Sequence, residues 1–336
     1  MASSLPDFIT YFLNPGHYEH AVDRVELVQT HISYVLLAGD FVYKFKKPVD
    51  FGFLDFTTLE RRELYCRQEL VLNRRLCPDI YLDVFAVCRA GDAFRFAAAE
   101  AGDAVEYGVR MKMMPREKMM GEVIARGELN RSHILDIVDT LVPFYEKAAG
   151  GSDIARFGTA GAVSVNVLEN FDQTRGFIGR GALRQSQFDA ISGYARSFLE
   201  NEALFLDRSA ARVRDCHGDL YSANICLADR VYIFDCIEFN ERFRYCDVAS
   251  DVAFLAMDLD FHGLHSLADF FIEKFVAASG DKGLPAVLPF YKCYRAYVRG
   301  KIGLFTAHAP EVDEVTRNRN LAMAEKYFLL AEQYAR

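Results

Sequence analysis

Between Cys216 and Asn240 the chain reads "CHGDLYSANICLADRVYIFDCIEFN", a stretch that tightly restricts what can form around it. It sets His217, Asp219, Asn224 and Asp235 within nineteen residues, with short apolar runs between them. The runs "NICL" and "VYIF", joined by Ala228-Asp229-Arg230, predict two short strands around a turn. Such a hairpin draws its Asn224 and Asp235 ends together, with Asp219 in the loop just before it. Two acids, an amide and a histidine then gather around a small hairpin.

The rest of the chain divides in character near Pro115. Before it, "VELVQ", "SYVLLAG" and "FVYKFK" are β-prone runs, with Ala38-Gly39-Asp40 as a turn between the last two. A helix is expected from about Thr57 to Leu76, opened by a capping box of Thr57 and Glu60 and closed by Cys77-Pro78. "YLDVFAVCRAGDAFRFA" reads as a hairpin, and "VEYGVRMKMMP" as a last strand. After Pro115 apolar residues recur at helical spacing in "SHILDIVDTLVPFYEKAA", "SQFDAISGYARSFLENEALFL" and "DVAFLAMDLDFHGLHSLADFFIEKFVAAS". The expectation is an α+β chain: a β-rich lobe over residues 1–114 with one helix, and a mostly helical lobe over residues 115–336.

At 336 residues, 51% of them apolar, there is ample material for two lobes. A net charge of −8 argues against a broad nucleic-acid surface, since phosphate binding needs basic excess. No apolar run approaches a membrane span, and "MASSLPDFIT" lacks the pattern of a secretory signal, so a cytoplasmic location is expected. None of the eight cysteines forms a C-x-x-C pair, and reduced, buried thiols are expected.

The polar residues of the quoted stretch suggest a chemistry. Carboxylate and amide oxygens are hard donors that suit Mg²⁺, which usually keeps waters and is completed by substrate phosphates. Asn224 and Asp235 are the candidate metal ligands, and Asp219 the candidate to orient or deprotonate a hydroxyl. Positioning, metal charge and one base are the parts of phosphoryl transfer. Its further need, a cation on the phosphates, has a candidate in Lys44, with Lys46 on the same strand face as the competing choice. Glu69 stands on an apolar helical stripe, where a carboxylate requires a cation, so Lys44–Glu69 is the expected pair, with Glu63 as the weaker alternative partner.

A β-rich lobe, a lysine on its third strand, a glutamate on the next helix, "HGDLYSAN" and "FD" together resemble the aminoglycoside phosphotransferase family of protein-kinase-like enzymes. The likeness covers roughly residues 22 to 300, and H-G-D-x-x-x-x-N matches His217, Gly218, Asp219 and Asn224 position for position. "YKFKKPVDFGFLDF" and "NRRLCPDIYL" are similar to a bacterial branch of uncharacterised members, some of which carry a second, P-loop kinase domain. With no G-x-x-x-x-G-K-[ST], this chain is expected to be the stand-alone form. The resemblance implies a bilobal protein-kinase-like fold, ATP between the lobes with Met113 near the adenine, and Asp235 on the metal. It also implies Asp247 as the aspartate that supports the catalytic loop. Departures are a Ser/Thr-bearing turn "QTHIS", containing Ser33, in place of a glycine-rich loop, and "FDCIEF" in place of D-F-G. Glu238 is either a further polar group beside the metal or, the preferred expectation, a surface residue capping the next segment.

His217 is expected to shape the loop through backbone hydrogen bonds rather than carry a proton. Arg295 and Arg299, one turn apart, either grip an anionic part of the acceptor or, the preferred expectation, pair with acids of the helical lobe. Asp258 and Asp260 either line a cationic acceptor site or form a solvated helix end. The function expected is an ATP- and Mg²⁺-dependent small-molecule kinase acting on a hydroxyl. The alternative is a nucleotide-binding pseudokinase that docks a protein partner.

Overall fold

The computed structural model describes residues 5–310 and 312–336. The chain forms two compact units, Met1–Met119 with Tyr232–Glu241, and Met120–Val231 with Arg242–Arg336. A single division after residue 114 does not capture this, because Tyr232–Glu241 returns to the first unit.

In the first unit α1 (Asp7–Phe12) precedes β1 (Val25–Gln29), β2 (Ser33–Ala38), β3 (Phe41–Lys46) and α2 (Leu59–Asn73). Then come β4 (Tyr81–Ala90), β5 (Ala93–Ala98) and β6 (Ala104–Lys112). The six strands form one antiparallel sheet in the order β1-β2-β3-β6-β4-β5. Gly39 turns the chain from β2 to β3 at φ +60°, where a Cβ would lie 2.7 Å from the Ala21 carbonyl oxygen. Only glycine fits that turn without strain.

Strand β3 shows why the sheet has two unlike faces. Tyr43 and Phe45 point one way and pack with Phe85, Phe94 and the α1 residues Ile9 and Phe12. Burying aromatic side chains of this size contributes about 2–3 kcal/mol each. Lys44 and Lys46 alternate onto the opposite face, where α2 lies. There Arg62 Nε donates to both Glu106 carboxylate oxygens of β6, at 2.8 and 3.0 Å.

Helix α2 starts one residue later in phase than the sequence suggests. Thr58, not Thr57, is the N-cap, accepting from the Arg61 N–H at 3.3 Å. Thr57 is drawn instead to Asp55, donating its hydroxyl at 2.6 Å and its amide at 3.0 Å. Adjacent threonines offer two capping phases, and the aspartate two residues upstream decides between them.

The second unit begins with α3 (Met120–Ala125), α4 (Arg131–Lys147), α5 (Ser152–Ala155), α6 (Ala160–Thr174), α7 (Gln185–Leu199) and α8 (Glu202–Arg212). Strands β7 (Val213–Asp215) and β8 (Ile225–Leu227) follow, and β9 (Val231–Ile233) leads into the Tyr232–Glu241 segment of the first unit; β8 and β9 are the strands expected from "NICL" and "VYIF". Beyond α9 (Glu241–Arg244), β10 (Tyr245–Asp247) pairs antiparallel with β7. Four helices close the chain: α10 (Val248–Phe261), α11 (His265–Ser279), α12 (Leu284–Ala307) and α13 (Glu314–Tyr334). No helix among the described residues is long and apolar enough to cross a membrane. None of the eight cysteines forms a disulfide, and all but Cys246 are buried.

Candidate active site

The first unit gathers Lys44, Lys46, Glu69, Asp235 and Glu238. Lys44 Nζ lies 2.8 Å from Glu69 Oε1, an ion contact without the alignment of a hydrogen bond, and 2.5 Å from Asp235 Oδ1. Lys46 Nζ donates to the other Glu69 oxygen at 2.8 Å and also to Glu238. The two lysines therefore do not compete for Glu69; each takes one oxygen. They differ in exposure, Lys46 being sealed at 2% and Lys44 open at 14%. Burial works to raise the Glu69 carboxyl, but Lys44 and Lys46 hold it down at about 2. Glu238 is not a surface residue: its side chain is buried against Lys46, and burial pushes its carboxyl above the ordinary range. A local reading of "FDCIEF" could not find a partner that lies 192 positions away.

Asp235 occupies a constrained position. Its φ of +61° makes it the non-glycine residue in the left-handed region among those described, at a cost of roughly 1–2 kcal/mol. Three bonds hold the strand end there. The Asp235 N–H donates to the Tyr81 hydroxyl at 3.3 Å and the Cys236 N–H to Asn73 Oδ1 at 2.9 Å. Cys77 Sγ meets the Ile233 carbonyl at 3.1 Å. The Asp235 side chain remains half-exposed at 47%.

Ser33 and Met113 lie in the same unit without joining that cluster through any of these bonds. Ser33 is buried at the head of β2, opposite Lys46 in register. The Ile32 and Ser33 amides both donate to Thr30 Oγ1, at 3.2 and 3.0 Å, so the "QTHIS" turn satisfies them internally. Met113 follows β6, and its N–H donates to the Asp40 carbonyl at 2.7 Å.

In the second unit His217, Asp219 and Asn224 come together on one loop. His217 is fully buried, and its Nδ1 accepts from the Asp219 N–H at 3.3 Å. Asn224 Nδ2 donates to the Asp219 carbonyl at 2.9 Å and to its carboxylate at 3.0 Å. Gly218 adopts φ +87°, open to glycine, and with it the chain turns two successive amides toward α10. Asp251 on that helix accepts both, the His217 N–H at 2.7 Å and the Gly218 N–H at 2.9 Å. Two turns further along the same face of α10, Asp258 accepts the Ser222 N–H at 2.9 Å.

The residue that supports the loop is therefore Asp251, not Asp247. Asp247 caps α10 through the Ala249 N–H at 2.9 Å and pairs with Arg208, which also bonds Asp281 at 2.8 Å. Asp251 was within reach of the same reasoning that singled out Glu69. "VASDVAFLAMDLDF" is apolar on nearly every side, and an acid there must meet a donor. Arg295 is buried, donates to the Gly218 carbonyl at 3.0 Å and stands 3.7 Å from Asp251. It follows the expectation of a structural partner to acids. Asp260 is no solvated helix end, since Lys292 at 2.7 Å, Tyr334 at 2.5 Å and His265 at 2.8 Å surround it.

No protein-family model matches the sequence. Uncharacterised proteins of Mycobacterium tuberculosis (strain ATCC 25618 / H37Rv) and Mycobacterium bovis are 31% identical over 281 residues, 83% of this chain. The chain spans about half, 54%, of the length of these curated relatives. Among solved structures, a choline/ethanolamine kinase family protein from Mesorhizobium loti matches at TM-score 0.51 and 12% identity. The match covers 93% of this chain and 92% of that one. An ADP-bound aminoglycoside phosphotransferase matches at TM-score 0.42 and 13% identity, covering 92% and 94%. The first likeness establishes the fold alone: the chain is an α+β protein of kinase-like fold.

Proposed function

We propose that this chain transfers the γ-phosphate of ATP, with Mg²⁺, to a hydroxyl of a small-molecule acceptor. The observation that carries the reading is Lys44. It joins Glu69 on α2 to the half-exposed Asp235, 191 positions away, within one compact unit. A purely structural ion pair has no need of a second, partly solvated carboxylate on a strained backbone.

The first unit would then be the nucleotide-binding one. Lys44, held by Glu69, contacts the α- and β-phosphates, the Met113 segment meets the adenine, and the turn at Ser33 lies over the phosphates. Among the described residues no three His, Cys, Asp or Glu side chains gather as a metal cage. One carboxylate and one amide oxygen, Asp235 and Asn224, suit Mg²⁺ that arrives with phosphate oxygens and waters, and its charge would offset theirs. The second unit supplies the base. The acceptor oxygen bonds to the γ-phosphorus, and the bond from that phosphorus to the β–γ bridging oxygen breaks. That oxygen leaves with ADP, and the hydroxyl proton passes to the Asp219 carboxylate. Asn224 and His217 orient Asp219 through their bonds to its carboxylate and its amide.

A melting-temperature titration with Mg·ATP, on wild type and Asp235→Asn, tests the reading. Asparagine tolerates the left-handed backbone, so this change removes charge with little strain. A ligand that binds only the folded state raises the melting temperature. The expected result is a clear rise in wild type that is mostly lost in Asp235→Asn, followed by acceptor-dependent ADP release that Asp219→Asn abolishes. No shift with ATP or GTP in wild type sinks the reading and favours a partner-docking role.

A further inference from the structure

Arg299, on α12 one turn beyond Arg295, is half-buried and differs in its surroundings from the buried Arg208, Lys292 and Arg295 of its unit. Its guanidinium lies 4.5 Å from the centre of the Tyr221 ring and 5.7 Å from that of Tyr327. Its Nε is buried without a hydrogen-bond partner, and among the described residues no carboxylate stands within ion-pairing distance of it. Three buried cations of the unit are balanced: Arg208 by Asp247 and Asp281, Lys292 by Asp260, Arg295 by Asp251. Burial opposes the charge on Arg299, while Tyr221, Tyr327 and the Asp219 carboxylate act in the other direction. Arg299 is thus within electrostatic reach of the candidate base, over a tyrosine two positions after it.

The acids that would recognise a cationic ligand are already engaged. Asp258 holds the Ser222 N–H and lies 3.9 Å from His262, and Asp260 accepts from Lys292, Tyr334 and His265. Among the described residues, Arg299 is thus the cation beside the loop that no carboxylate meets at ion-pairing distance. A partly desolvated guanidinium without an ion-pair partner is costly, and stacking on neutral phenols offsets only part of that cost. Its planar fork matches the two oxygens of a carboxylate or phosphate.

We propose that Arg299 anchors an anionic group, carboxylate or phosphate, of the hydroxyl acceptor. The acceptor is then an acidic alcohol such as a sugar acid, hydroxy acid or sugar phosphate, rather than an amino sugar or amino alcohol. That the ligand is the acceptor rests on the phosphotransferase reading; that an anion binds at Arg299 does not.

Calorimetric titration without nucleotide separates the two. Inorganic phosphate, gluconate, glycerate, glucose and glucosamine are compared on wild type, Arg299→Met and Arg299→Lys. At least one of the anions is expected to bind ten-fold or more tighter than glucose and glucosamine. That preference is lost at least ten-fold in Arg299→Met and partly kept in Arg299→Lys. With Mg·ATP, the KM for the preferred acid rises in Arg299→Met while nucleotide affinity is unchanged. Ligand-free Arg299→Met should melt at or above the wild-type temperature, because it removes an unbalanced charge. The proposal is overturned if no anion binds, if glucose or glucosamine binds better, or if Arg299→Met leaves anion affinity unchanged. It is equally overturned if the variant melts well below wild type, or if it weakens Mg·ATP instead of the acid, which assigns the guanidinium to nucleotide phosphate. Retained Arg299-dependent anion binding with no Mg·ATP binding leaves the anion site standing and removes the phosphotransferase reading.

Discussion

The two polar clusters of this molecule are held in opposite ways. Lys44, Lys46, Glu69, Glu238 and Asp235 position one another by side-chain charge. The loop from His217 to Asn224 is instead strapped by its backbone amides, which donate to carboxylates of a single helix. A charge cluster responds to pH and to the loss of any one member, since each neutralises a neighbour. A backbone-strapped loop tolerates changes in its own side chains but depends on its strap. The contrast ranks what substitution should do in each place.

The largest effect is expected at the strap. Asp251→Ala leaves the His217 and Gly218 amides, the Tyr145 hydroxyl and the Arg295 charge without their acceptor. A loss of about 3–5 kcal/mol in unfolding free energy is expected by denaturant titration. If instead the loss is under 1 kcal/mol, the loop does not depend on Asp251 and the contrast fails.

Lys46→Met should come next, at about 2–4 kcal/mol, because it strands Glu238 and one oxygen of Glu69 in a sealed site. Lys44→Met should cost less, about 1–2 kcal/mol, since it strands the other Glu69 oxygen but leaves Asp235 half in water, and should remove most of the Mg·ATP melting shift. Equal stability losses in the two variants would erase the division between a sealing and a working lysine.

The charge cluster should also announce itself in acid. Glu69 has its carboxyl held at about 2 against an ordinary 4.5, so its contribution is fully present above pH 4.5 and lost as pH falls through about 2. The stability gap between wild type and Glu69→Gln should therefore be widest above pH 4.5 and close below it. A gap independent of pH from 6 to 2 contradicts the ion contacts.

The smallest effect is expected at Lys301, whose Nζ donates to the neutral Gln173 amide at 2.9 Å. Burial lowers it to about 8, Glu169 only partly opposing, so its charge is a burden below pH 8 that lifts as pH rises toward 10.5. Lys301→Met should raise stability by about 1 kcal/mol at pH 6 and by less at pH 10.

Much of this was written locally. Strand alternation put Lys44 and Lys46 on one face of β3, the "HGDLYSAN" spacing placed Asp219 and Asn224 on one loop, and an acid on the apolar stripe of α2 announced a cation for Glu69. Where the reading went astray, the deciding partner was distant or one residue out of phase. Glu238 looked exposed because Lys46 is 192 positions away. The resemblance implies Asp247 as the loop support, whereas only the turn of α10 brings Asp251 to the loop amides. Thr57 lost the cap to Thr58 because Asp55 took its hydroxyl.

The amino-acid sequence by itself determined which residues could carry charge into the interior and on which face of each element they would lie, because 2.0- and 3.6-residue periodicities are local properties of the backbone. The tertiary structure alone decided which charges would meet. It gave both oxygens of Glu69 to two lysines, returned Tyr232–Glu241 to the first unit, and left Arg299 over Tyr221 without an ion-pairing carboxylate among the described residues. Electrostatic pairing acts through space at a few ångströms, and nothing in the order of residues along the chain fixes which of them arrive within that distance.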